Sequence, residues 1–263
     1  MGYPSGMRAV YVLILTLVVG GCSGMGKEMD VTRDWPVKRL YEAAKDSLQS
    51  GDYETAVDYY EKLQSRFPFG AYAQQGQMEL VYAYYKYDEP ASAVAAADRF
   101  VKLYPRHPNV DDVLYIKGLT RFNQGKGLME KLIPRDESQR DPGAALQAFN
   151  DFTELVEKYP ESKYTKDARQ RMIYLRNILA RHEVHVADYY MRRGAYVAAV
   201  NRARFVVENY QRTPAVGDAL AVMSMAYKVL GLNDLSADAL RVLRLNYPEH
   251  PGIQDVETLQ LEN

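Results

Sequence analysis

The chain has 263 residues, 47% of them apolar, with 33 Lys and Arg set against 34 Asp and Glu. That is enough apolar sequence for a sizeable core, and the near-neutral balance gives no electrostatic footprint for nucleic acid. A single Cys excludes an internal disulfide framework and a Cys-rich zinc site. Tyr occurs 22 times against one Trp, as expected where helix-pair repeats use Tyr as an amphipathic spacer.

Arg8 precedes an apolar run from Ala9 to Val19, and Gly20-Gly21-Cys22-Ser23 follows it. The run is shorter than the ~20 residues that span a bilayer. A basic residue before it and small residues after it read as an export signal over 1–21, with Met1 or Met7 as its start. Val19-Gly20-Gly21-Cys22 resembles the bacterial lipobox. The resemblance implies cleavage before Cys22 and a lipid on its thiol. This covalent lipid is the one non-protein group expected, with no cofactor beside it. The alternative is an incidental Cys behind an ordinary signal peptide. Acyl chains contribute ~0.8 kcal/mol per buried methylene, and more than one gives a stable anchor. Ser23, where an Asp would favour the inner membrane, points by the same resemblance to the outer membrane. Residues 22–36 are Gly-rich and charged with little apolar periodicity, so they read as a tether reaching on the order of 45 Å.

A repeating pattern begins at Gly51. Openers Gly51, Asp88, Gly143, Gly194 and Gly231 are each followed sixteen places later by an aromatic: Phe67, Tyr104, Tyr159, Tyr210 and Tyr247. Pro follows four of those five aromatics and cannot continue a helix. Five places after each opener stands a small residue that lets two helices approach: Ala56, Ala93, Ala148, Ala199 or Ser236. Ala56, Tyr60 and Leu63 share one helical face, as do Leu40, Ala44 and Leu48 before them. Tyr84, Tyr190 and Tyr227 each precede their opener by four. Helix, turn and helix in about 34 residues resembles the tetratricopeptide repeat, whose stacked pairs offer a concave surface to peptides or proteins. The expected fold is an all-α tetratricopeptide-repeat solenoid of five helix pairs, with a long linking helix between repeats 3 and 4. Repeats 1–3 fall in 37–162, and the long helix with repeats 4–5 in 163–248.

The second unit is unusually aromatic. Phe67, Phe69, Tyr72, Tyr82 and Tyr85 cannot all face inward on helices of this period. Core packing accounts for any one of them. The cluster as a whole suggests a groove for a short peptide. The run RFPFGAYAQQGQMELVYAYYK from Arg66 to Lys86 resembles the BamD family of outer-membrane protein assembly factors. So do His107-Pro108-Asn109, Arg140-Asp141-Pro142 and RGAYVAAVNR from Arg193 to Arg202. The resemblance covers nearly the whole chain. It implies an outer-membrane lipoprotein on the periplasmic side, in the complex that folds β-barrel proteins. It implies a groove at Phe67, Phe69, Gly70, Tyr72, Tyr82 and Tyr85 for unfolded outer-membrane proteins. It also implies partner contacts at Arg193 and Arg202, with a BamA-like barrel insertase and accessory BAM lipoproteins. An Arg suits such a contact because its planar fork grips a carboxylate; the alternative is an exposed Arg without a partner. Glu54 stands where some relatives carry a basic residue, which puts that residue's part in client holding in doubt here.

The third unit is interrupted by 124–142, a charged stretch with Pro134 and Pro142 that reads as a surface loop, either functional or merely tolerated. Tyr164 to Arg193 contains neither Gly nor Pro and reads as one rigid helix, with Met172, Leu175, Leu179, His182 and Val186 along its apolar stripe. Its basic residues Lys166, Arg169, Arg171, Arg176, Arg181, Arg192 and Arg193 form either a solvated face or a docking surface for an acidic partner. His182 and His185 lie three apart without further ligands or an HExxH pattern, so a metal site is not expected. No serine elbow, phosphate loop or paired carboxylates stand out, and an enzyme is not expected. The tail, 249–263, either caps the stack or frays. The rivals to an assembly factor are a lipoprotein scaffold for cell-wall synthesis or division and an enzyme acting on peptidoglycan.

Overall fold

The computed structural model describes residues 30–124 and 136–259, which hold eleven α-helices, one short 3-10 turn and no strand. The expected export signal, Cys22, residues 23–29, residues 125–135 and the last four residues lie outside the described residues. The first unit pairs α1 (Val37–Ser50) with α2 (Tyr53–Arg66), and the second pairs α3 (Ala71–Lys86) with α4 (Pro90–Leu103). The third pairs α5 (Val110–Asn123) with α6 (Gly143–Lys158) across the insertion. Then come α7 (Thr165–Arg192) with α8 (Tyr196–Asn209), α9 (Ala215–Val229) with α10 (Asn233–Asn246), and a short α11 (Gly252–Thr258). Each helix packs on the next in sequence, and first helices also touch one another: α1 with α3, α3 with α5, α7 with α9. This is a tetratricopeptide-type stack.

The repeat pattern is a set of backbone devices. Gly51 closes α1 at φ 85, and the N–H of Asp52 returns to the carbonyl of Ser47. A Cβ would be strained at that φ, so Gly is the cheapest residue for the turn. Asp88, Gly194 and Gly231 repeat it, at φ 61, 74 and 72. In those three units the residue after the opener donates its N–H to the carbonyl of Tyr84, Tyr190 or Tyr227. Gly143 departs from the pattern. It is the first residue of α6 and has no left-handed φ; its N–H donates to the Asp141 carboxylate at 3.0 Å. The insertion supplies there the change of direction that a left-handed residue supplies elsewhere. The aromatic closers are five like-built helix ends. Phe67, Tyr104, Tyr159, Tyr210 and Tyr247 each terminate the second helix, with the N–H still bound to the carbonyl four residues back.

The core runs the length of the stack in linked clusters. Leu40, Tyr60 and Leu63 fill the first, and Phe100, Leu114, Phe152 and Leu155 the middle one. Each such fully buried side chain contributes about 1.5–3 kcal/mol. The small residues Ala56, Ala93, Ala148 and Ala199 are fully buried between helices, and Ser236 nearly so. Gly118 brings α5 against α6 closely enough that a Cβ there would meet the Phe152 ring at 2.6 Å. Leu175 of α7 belongs to the middle cluster, whereas Ala180, Val184 and Ala187 belong to the next. One buried charge network crosses the middle unit. Asp151 of α6, 4% exposed, accepts from Lys117 Nζ at 3.1 Å and Arg121 Nη1 at 2.6 Å, both on α5, and Lys117 also reaches Asp98 at 2.6 Å.

Three segments differ from the sequence reading or decide it. The tether expected over 22–36 is packed against the first unit from Asp30 onward. Thr32 is fully buried, Arg66 holds the Asp30 carboxylate and the Thr32 carbonyl, and Trp35 lies 5.9 Å from the Tyr59 ring. The tail caps the stack: Val256 of α11 is 2% exposed, and Lys228 Nζ donates to its carbonyl at 2.7 Å. The foot of the insertion is docked on α7. His182 Nδ1 lies 2.8 Å from the Ser138 carbonyl oxygen, and His185 Nε2 lies 3.0 Å from Ser138 Oγ and 3.2 Å from Asp136 Oδ2. His182 therefore serves the insertion rather than the apolar stripe.

Candidate functional site

On α3, Tyr72, Gln75, Glu79 and Tyr82 recur at steps of three and four, so they share one face of the helix. The adjoining face, with Ala73, Gly76, Leu80 and Ala83, is buried against the neighbouring helices. Across from the exposed stripe, α1 supplies Tyr41, whose ring lies 5.2 Å from that of Tyr72. Glu79 is the centre of the arrangement. Its carboxylate accepts from Tyr41 Oη at 3.1 Å, Tyr60 Oη at 2.6 Å and Gln75 Nε2 at 2.8 Å. Burial, with the Glu79 charge adding to it, pushes both the Tyr41 and Tyr60 hydroxyls well above the ordinary tyrosine range. Both therefore stay protonated and keep donating. The effect is to hold the floor between α1 and α3 rigid while leaving Tyr72 and Tyr82 accessible, at 36% and 40% exposed. Tyr85, at the edge of the stripe, lies 6.4 Å from the Tyr82 ring, and its hydroxyl accepts from Asn123 Nδ2 of α5 at 3.0 Å. The result is a shallow tyrosine-lined face spanning the first helices of three units.

The remaining groove candidates stand elsewhere. Phe67 ends α2 and packs against the first core cluster. Phe69 projects from the link between α2 and α3, 88% exposed. Among the described residues, neither ring stacks on another aromatic. Gly70 adopts φ 101 and ψ 177 immediately before α3, a conformation essentially reserved for Gly, so the turn itself accounts for it. Tyr41, Gln75 and Glu79 were not singled out by sequence reasoning. The three- and four-residue steps could have revealed Gln75 and Glu79; the bond from Tyr41 spans 38 residues and left no local signal.

The partner candidates Arg193 and Arg202 do not form one patch. Arg202 of α8 donates to Glu183 of α7 at 3.1 Å and is about half exposed. Arg193 ends α7, its guanidinium 5.3 Å from the centroid of the Tyr189 ring. The ten residues of α7 between Glu183 and Arg193 amount to ~15 Å along the helix. Of the basic residues on α7, Arg171 is paired with Asp167 and lies over the Phe122 ring, and Arg176 donates to the carbonyl of Asn209. Lys166, Arg169, Arg181 and Arg192 are exposed.

A family model described as YfiO, outer membrane lipoprotein, matches residues 33–243. The outer membrane protein assembly factor BamD of Neisseria meningitidis serogroup B is 46% identical over 250 residues, covering 94% of each chain. The factor of the same name from Vibrio cholerae serotype O1 is 41% identical over 235 residues, 89% of this chain and 96% of that one. The one from Xylella fastidiosa is 36% identical over 251 residues, 95% of this chain and 85% of that one. The family match thus runs from just before α1 into α10, and the chain belongs to the outer membrane lipoprotein family YfiO, alongside the BamD assembly factors it resembles.

Proposed function

We propose that this chain is a non-enzymatic, lipid-anchored subunit of the machinery that assembles β-barrel proteins in the outer membrane, fixed there through Cys22 and facing the periplasm. The observation that carries the reading is the 46% identity to a BamD assembly factor over 94% of both chains. In this reading the protein works by binding alone. The tyrosine-lined face of α1, α3 and α5 takes an extended, aromatic-bearing segment of an unfolded barrel protein. Tyr72, Tyr82 and Tyr85 offer flat apolar faces with polar tips, which suit such a segment without demanding one sequence. Ordering the segment costs entropy, so the affinity is weak and exchangeable, as handing a client onward requires.

The C-terminal repeats hold a BamA-like barrel insertase and accessory BAM lipoproteins, with Arg202 as the contact. Arg202 would have to release Glu183. An exposed ion pair contributes only ~0–1 kcal/mol, so that exchange costs little. The test is an affinity pull-down from outer membranes with the tagged protein beside Arg202→Ala and Tyr72→Ala/Tyr82→Ala variants. The expected result is an insertase recovered by the unsubstituted protein and lost with Arg202→Ala, while unfolded barrel proteins are lost with the tyrosine variant. Absence of an insertase from every sample would sink the reading in favour of a cell-wall scaffold.

A further inference from the structure

The chain enters the folded array at a defined corner. Asp30 is paired with Arg66 and with Lys62, both near the C-terminal end of α2, and Thr32 Oγ1 donates back to Asp30 at 2.7 Å. Trp35 is held between this segment and α2, with the Arg39 guanidinium 4.3 Å from its ring. The last residue before the array is therefore fixed beside Arg66. From Asp30 back to Cys22 is eight residue steps, which reach about 28 Å at full extension.

At the same corner two large apolar side chains face solvent. Val31 follows Asp30 directly and is 77% exposed; Phe69 lies three residues beyond Arg66 and is 88% exposed. No other large apolar side chain among the described residues is as exposed as Phe69. Among the described residues, neither is covered by a neighbour. The exposed Arg33 stands two residues after Val31 and suits an anionic surface.

We propose that Val31 and Phe69 form a membrane contact, resting on the headgroup layer of the same leaflet that carries the lipid on Cys22. This rests on the lipid-anchor reading of Cys22 above. The short span from anchor to corner makes the contact effectively intramolecular, so two side chains suffice where free protein would not bind. An aromatic ring is at home in the interfacial layer. The contact sets the tilt of the stack, because a tether alone leaves its orientation free. It also withdraws Phe69 from the peptide groove.

The test uses the full chain, lipidated and purified from outer membranes, in vesicles of phosphatidylethanolamine and phosphatidylglycerol. A lipidated Cys22 has no free thiol, so Phe69→Cys, Val31→Cys and Leu245→Cys each add the one reactive site. Leu245, 81% exposed on α10 in the last helix pair, is the control. With a nitroxide at each site, vesicles are expected to raise relaxation by oxygen and to lower relaxation by a water-soluble nickel chelate at 31 and 69 but not at 245. Vesicle-bound protein whose labels at 31 and 69 stay as open to the chelate as the one at 245 would overturn the proposal. Failure of the anchor itself looks different: the unsubstituted protein then takes up the thiol label and leaves the vesicles, which sinks both readings.

Discussion

Removing the Asp151 carboxylate is expected to be among the costliest single changes in the chain. Its side chain is 5% exposed and serves two cations, Lys117 at 11% and Arg121 at 18%. Asp151→Ala leaves Arg121 without its carboxylate in the middle core and leaves Lys117 only the half-exposed Asp98. Breaking a buried pair from one side costs about 3–5 kcal/mol, because the surviving charge stays desolvated. Glu154→Ala, three residues along the same helix, removes the exposed pair with Lys158 and is expected to cost ~0–1 kcal/mol. Urea unfolding followed by circular dichroism compares the two. Raising the salt concentration should leave the Asp151 cost nearly intact, since buried pairs are poorly screened. There is also an alkaline arm. Burial opposes the Lys117 charge, yet the Asp98 and Asp151 carboxylates outweigh it and raise its pKa above 10.5. A raised folded-state value means that this stabilisation is complete below 10.5 and disappears as pH rises beyond it. If Asp151→Ala costs no more than Glu154→Ala, the buried network is not what holds α5 to α6.

Three further outcomes are expected. Asp136 is held down to about 2, first by the Ser138 hydroxyl, with burial opposing and the Ser138 N–H and His185 assisting. A depressed carboxyl stabilises above its ordinary value of 3.8, so the protection of amides at 136–139, taken against the intrinsic exchange rate at each pH, should persist at pH 5 and fall only as pH drops from 3.8 toward 2. Gly118→Ala should destabilise by ~1–3 kcal/mol in thermal or urea melts, because the fully buried Phe152 has nowhere to retreat. Lys228→Met removes the donor to the Val256 carbonyl, so hydrogen exchange should speed up over 252–258 while α9 itself stays protected.

The repeat architecture was legible because its signals are local. An opener, a small residue and a closing aromatic at fixed spacing describe a turn, a close approach and a helix end, each made within one unit. Gly143 shows the limit. It satisfies the spacing yet performs no left-handed turn, since the Asp141 carboxylate before it already redirects the chain. Half of the site was legible in the same way. Tyr72, Tyr82 and Tyr85 belong to one aromatic run, whereas Tyr41 and Tyr60 reach Glu79 across 38 and 19 residues. The docked Asp30–Trp35 segment was hidden by its composition. Its hold comes from one buried Thr, one ring and the distant Arg66, none of which produces periodicity.

The division of α7 between two cores bears on how the protein comes to be folded at all. In most repeat arrays each unit touches only its neighbours, so the chain can freeze or melt one unit at a time. Here the middle cluster includes Leu175 and the next includes Ala180, only five residues further along an unbroken helix. A chain growing from its N-terminus can settle the first cluster, built by α1 to α3, early. The middle cluster, which holds Phe100 of the second unit and Phe152 of the third, cannot close until α7 has arrived, and by then the same helix is already laying down the fourth unit. Folding should therefore proceed in two uneven steps, with everything after α3 arriving as a single late event.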